Sequence, residues 1–199
     1  MRRHVIRLFF GVLLFLWVMT FPCAFAEQGT VSVDWNAQLK KAQDGIEKNP
    51  RSAFWHNQAG VAYDALGDFS RAVSELKLAS QLDSGNATHD YALYALYKRK
   101  GMTIQQKRVL LSAVKKDPNN PIGHFELGSM FEAQKRWTNS LAEYRTSKKL
   151  AEDVKSGQYV DPKGNNYDVS AVREEVDTRI TRVTRQANHE ASHSPTSSR

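Results

Sequence analysis

One distance recurs along this chain of 199 residues. Tyr63 and Tyr97 are 34 residues apart, and so are Tyr97 and Phe131, Gly67 and Gly101, and Asp83 and Asp117. Pro50 and Pro118 are separated by 68, twice that distance. A period of this length narrows the fold sharply, because so short a unit cannot bury its apolar face alone and must stack on copies of itself. The pattern inside the period is helical. Ala72, Leu76 and Ala79 recur at four- and three-residue spacing, as do Leu110 with Ala113 and Trp137 with Leu141 and Tyr144. Glycine punctuates the unit at Gly67 and Gly101, where a helix can end in a left-handed residue. Asp117-Pro118-Asn119-Asn120 enforces a break, since Pro118 cannot continue a helix interior and Pro121 suits a first turn.

Ala59-Gly60-x-x-Tyr63 with Ala72, and Leu127-Gly128-x-x-Phe131 with Tyr144, resemble the pattern of the tetratricopeptide repeat. The resemblance covers residues 53 to 152 and implies an all-α fold. That fold is a right-handed αα-hairpin solenoid of about three repeats, at 53–86, 87–120 and 121–154, with flanking capping helices. The chain departs from the pattern in specific places. The usual aromatic early in each first helix is His56, Asp90 and His124, and the second repeat carries Tyr94 in place of a small residue and Gln106 in place of alanine. These departures predict a splayed or shifted middle repeat.

The flanks extend the helical reading. In the segment 27–52, Trp35, Leu39, Ala42 and Ile46 share one helical face that ends at Asn49-Pro50, as an N-terminal linker and cap would. In 155–187 a loop with Gly157, Pro162 and Gly164 precedes an amphipathic helix marked by Val169, Val172, Val176, Ile180, Val183 and Ala187. That helix is expected to cap the third repeat, with a free partner-binding helix as the alternative. The Ser- and His-rich stretch 188–199 is expected to be a disordered tail.

The first 26 residues read as a signal peptide. Arg2, Arg3 and Arg7 precede an apolar run from Leu8 to Phe21, and Ala24-Phe25-Ala26 supplies the small-x-small cleavage pattern, with Glu27 as the mature start. The expected location is periplasmic or secreted. The alternative is inner-membrane anchored, with the helix retained, because Val5 to Ala26 is long enough to span a bilayer. Membrane contact is expected only in that case. Cleavage after Ala26 would remove Cys23, the single cysteine, and with it disulfides, thiolate chemistry and Cys-based zinc sites.

The formal charge of +7 contains those three arginines; setting them aside leaves 25 basic side chains against 21 acidic ones, too mild for a nucleic-acid domain. No His-Glu-x-x-His, Gly-x-Ser-x-Gly or phosphate loop occurs. No catalytic residue, metal or cofactor is expected, and an enzyme activity would need a non-repeat segment of adequate size. His56, His89 and His124 fall at stacked, separated places and read as structural rather than metal-binding. Asn86-Ala87-Thr88 is a glycosylation sequon in an expected turn.

The resemblance implies a concave groove lined by the first helix of each repeat. By register it would present Asn57, Val61 and Asp64, then Tyr91, Ala95 and Lys98, then Phe125, Ser129 and Glu132. Such a surface suits a protein or peptide partner, with Tyr91 and Phe125 as anchors unless they pack inside the solenoid. Chaperone-binding members of the family clamp a C-terminal carboxylate with cations. The matching places here hold Asn57, Val61, Ala92, Ile122 and Glu126, so no such clamp is expected. The expected role is a non-catalytic interaction scaffold of the bacterial cell envelope, or a membrane-tethered accessory subunit of an envelope assembly or secretion machine.

Overall fold

The computed structural model describes residues 33–193. The signal-peptide reading of 1–26 and the final residues of the expected tail lie outside the described residues. Helix α1 (Trp35–Lys48) precedes three helical hairpins: α2 (Ala53–Ala65) with α3 (Phe69–Leu82), α4 (Ala87–Arg99) with α5 (Thr103–Lys116), and α6 (Pro121–Ala133) with α7 (Trp137–Asp153). A short antiparallel hairpin, β1 (Gln158–Val160) and β2 (Asn166–Asp168), leads to α8 (Ser170–His193).

Capping explains where the helices begin. Asp34, Ser52, Asp68, Asn86 and Asn120 each accept a backbone N–H of the following first turn. The turns inside the hairpins use one conformation three times. Gly67 and Gly101 sit at φ 84° and 66°, and in the third repeat Lys135 takes the same left-handed place at φ 56°. A side chain there costs about 1–2 kcal/mol, which glycine avoids.

Packing follows the repeat. A Cβ on Gly60 would lie 2.6 Å from Leu76 Cγ, and one on Gly128 would lie 2.7 Å from the Tyr144 ring, so the outer hairpins close only because these residues are bare. One core cluster joins α1 to α4 through Ala42, Ala59, Tyr63, Leu76, Leu93 and Tyr97. In the middle hairpin Tyr94 takes the bare position. It is 6% exposed and clusters with Leu110 of its own hairpin and Leu127 of the next. The departures that predicted a splayed or shifted middle repeat place a wedge at the junction with repeat 3: the middle hairpin packs less closely than its neighbours, as a splayed one would, while its turn at Gly101 keeps the register of Gly67 and Lys135.

The C-terminal helix docks. Val176 and Val183 pack on Tyr144, with Phe125, Leu141 and Ile180 around them, and Arg173 donates to the last-turn carbonyl of Ala151 at 2.7 and 2.9 Å. The apolar stripe places the end of this helix at Ala187. It continues instead to His193, so residues 188–193 are helical rather than disordered, and the His189 and His193 rings stack one turn apart at 4.2 Å. The 155–168 segment, read as a plain loop, holds the β-hairpin.

Candidate functional site

The first helices α2, α4 and α6 present the nine residues of the expected groove, and the structure divides them into two sets. Asn57, Val61, Asp64, Ala95, Lys98 and Ser129 line the surface, tied by polar bridges between neighbouring helices. Asn57 Oδ1 meets His89 Nδ1 at 3.1 Å, Asp64 pairs with Arg99, and Lys98 reaches both oxygens of Glu126 at 2.7 and 2.8 Å. The other three are engaged by the chain's own C-terminal part.

Tyr91 packs edge-on against Tyr167 of the β-hairpin, at a ring separation of 5.8 Å, and abuts Gly123. The hairpin is pinned there at several points. Thr88 Oγ1 and Tyr167 Oη share a 2.8 Å hydrogen bond, Tyr159 donates to Asp117 at 2.6 Å, and Lys163 lies 3.4 Å from Asp83. Burial pushes the Tyr167 phenol up to about 12 and raises Tyr91 further, with the Asp117 carboxylate adding to the latter. At Asp161, burial favours the neutral acid, but hydrogen bonds from Asn165 and Lys163 prevail and lower its pKa. Phe125 packs against Tyr144 at 5.4 Å beneath Arg179. Glu132 accepts from Tyr144 at 2.7 Å and pairs with Arg179 at 3.3 Å and Arg182 at 2.5 Å. Neither expected aromatic anchor is free, because hairpin and helix α8 cover them.

Among α4, α5 and α6 a cleft of about 430 Å³ opens beside the Tyr94 wedge. Lys98 and Ser129 belong to the expected groove; Tyr94, Gln106, Glu126 and Met130 are among the other lining residues. Tyr94 donates to Glu126 at 2.5 Å, and burial together with that carboxylate holds its phenol protonated well above the ordinary range. Met130 and Ala133 supply apolar wall beside the Lys98–Glu126 pair, a combination suited to a side chain with an apolar stem and a polar end. The signal that could have located the cleft was present in the sequence: Tyr94 and Gln106 are the two bulky departures from the repeat pattern.

The histidines have structural partners. His56 Nδ1 lies 2.6 Å from Glu75 and Nε2 3.0 Å from the Pro50 carbonyl. His124 repeats this with Glu143 at 2.7 Å and Pro118 at 2.9 Å. In the middle repeat Asp90 takes the place and binds Ser80, Ser112 and Lys116. Burial depresses the His89 pKa. Among the described residues no group of three or more His, Cys, Asp or Glu comes together as a metal site, and no helix is long and apolar enough to cross a membrane. Asn86 of the sequon caps α4 through Thr88 N at 3.0 Å and donates to Asp83 at 3.2 Å.

Solved structures share this architecture. A thermophilic tetratricopeptide protein of Thermus thermophilus, TTC0263, superposes with a TM-score of 0.56 at 18% identity, over 74% of this chain and 73% of that one. MamA 41-end from Desulfovibrio magneticus RS-1 gives 0.53 at 14% identity, over 78% and 87%. The TPR2B domain of yeast Sti1, solved as a complex with pHsp70, gives 0.50 at 15%, over 75% and 98%. The fold is a tetratricopeptide solenoid. No family model and no curated protein matches the sequence.

Proposed function

We propose that this chain is a non-catalytic adaptor that holds a protein or peptide segment on the concave face of its solenoid, in the bacterial cell envelope. The observation that carries the reading is the cleft beside Tyr94 among α4, α5 and α6, which Lys98 and Ser129 of the expected groove line, with Lys98 exposed and Ser129 and the neighbouring Ala95 half-buried. The hairpin packs on Tyr91 and α8 on Phe125, while no residue of either lines this cleft. The yeast Sti1 domain of the same fold is a complex with pHsp70, which supports a polypeptide ligand. A chaperone-type carboxylate clamp fits poorly, because Glu126 sits where a cation is needed and already holds Tyr94 and Lys98.

The envelope location rests on Arg2, Arg3 and Arg7 ahead of the apolar run and on Ala24-Phe25-Ala26. The second reading, a tethered accessory subunit, rests on the length of the same run. N-terminal sequencing of the protein recovered from the producing cell separates the two: a start at Glu27 supports export with cleavage, and an uncut chain supports the tether.

A photo-crosslinking amino acid at Ala95, compared with one at Lys77 on the outer helix α3, tests the groove. One dominant protein adduct from Ala95 and no protein adduct from Lys77 supports the concave site. No adduct from Ala95 in a folded protein refutes it.

A further inference from the structure

In the tetratricopeptide fold the second helices of the hairpins, here α3, α5 and α7, lie on the convex side, and the repeat makes their outward residues line up. Equivalent places on the three helices fall in rows 34 residues apart. Four outward places per helix give twelve residues, from Ser70 to Lys149, and all twelve are exposed. Five are cationic and none is acidic. One row reads Lys77, Leu111, Arg145, and another ends in Lys115 and Lys149. None of these five cations has a carboxylate partner among the described residues. The carboxylates within the helices are tied elsewhere: Glu75 to His56 and Glu143 to His124, facing the hairpin partners. Glu152 and Asp153 stand at the end of α7, past the ridge, with Glu152 3.8 Å from Lys148.

Two aliphatic side chains project from the middle helix of this ridge, Ile104 at its start and Leu111 past its midpoint. Ile104 is 83% exposed and Leu111 45% exposed, two turns apart on α5, with Arg108 between them and Lys115 one turn on. An exposed aliphatic pair with Arg108 and Lys115 on its own helix, and Lys77 and Arg145 on either side of Leu111, complements a soft, planar, negatively charged surface better than it complements a rigid protein, which would need a matching hollow. We infer that the convex face is a peripheral contact site for an anionic lipid bilayer, with α5 lying along the headgroups and Ile104 and Leu111 entering the acyl boundary. The site is independent of the concave groove, which the first helices line.

The test uses the full chain with Cys23→Ser and a single label site, Ile104→Cys, carrying an environment-sensitive nitrobenzoxadiazole dye. Vesicles of phosphatidylcholine with about 30% phosphatidylglycerol provide the surface, and pure phosphatidylcholine the comparison. The apolar N-terminal run can enter both vesicles, so the readout is local. The dye at position 104 should brighten and shift to the blue only with the anionic vesicles, and a dye at Val61→Cys in the groove should not. At roughly fivefold per cation near an anionic surface, Arg108→Gln with Lys115→Gln should weaken the partition about 25-fold. Both residues are exposed, and circular dichroism checks that the variant is folded. A silent dye at 104, an equal response to both vesicles, or partitioning indifferent to the double substitution overturns the proposal. A response at 104 to soluble polyglutamate without one to anionic vesicles does the same, and assigns the ridge to an acidic protein.

Discussion

Replacing Tyr94 with alanine should damage this protein more than any substitution on the open groove. The side chain is 6% exposed and touches Leu110 and Leu127, so it belongs to two repeats at once. Truncating a buried aromatic costs about 3–5 kcal/mol. One side of this ring borders the cleft and has fewer contacts to lose, which places the packing loss at about 3 kcal/mol. Glu126 also loses a donor, although Lys98 remains 2.7 Å away, which adds about 1 kcal/mol. The sum, about 4 kcal/mol, corresponds to a fall of roughly 8–16 °C in Tm for a domain of this size. Tyr94→Phe isolates the hydroxyl and should lose only about 1 kcal/mol. Urea denaturation followed by circular dichroism measures both. A loss below about 1 kcal/mol for the alanine variant, or equal losses for the two variants, refutes the wedge.

Truncation after Asp153 removes Val169, Val172, Val176 and Val183, all buried, at about 1.5 kcal/mol each; the melt should broaden and lose cooperativity, and an unchanged melt would show α8 to be dispensable. Glu132→Gln weakens the contacts with Arg179 and Arg182 and should cost about 1.5–3 kcal/mol in a urea titration, with no loss disproving its role in docking α8. His89 is held neutral by burial below its ordinary value of 6.5. The unfolded chain therefore takes up the proton first, and the stability this provides is present above pH 6.5 and lost as pH falls through and below it. His89→Gln should accordingly narrow the difference between urea midpoints at pH 7 and pH 5, and an unaltered difference would contradict this. A Glu-Glu-Val-Asp peptide at millimolar concentration should give no heat in calorimetry, whereas micromolar binding would restore the carboxylate clamp.

The hairpin array was legible because a 34-residue period and glycines at Gly60, Gly67, Gly101 and Gly128 are local signals. Tyr63, Tyr97, Leu76 and Leu110 took the inward places their spacing implied. The groove was legible only in outline. Register could say that Tyr91 and Phe125 lie on first helices, but not that residues many positions later would cover them. Tyr159 and Tyr167 reach Asp117 and Thr88 across 42 and 79 residues, a separation that no periodicity encodes. The helix beyond Ala187 was missed because its polar residues carry no apolar stripe; they extend a helix already nucleated and docked upstream.

The β-hairpin that reaches back to α4 changes how the array can come apart. In a solenoid each unit touches only its neighbours, so stability sums along a line and an end can fray one unit at a time. Here residues 158–168 skip the third repeat and fasten to the second through Thr88, Tyr91 and Asp117. The third repeat is thereby bracketed, held by α5 on one side and by a strap on the other. Peeling from the C-terminus must release contacts two units away before the last unit can open. The line becomes a closed loop of dependencies, and its carboxyl half should exchange its amide protons as one block rather than in graded steps.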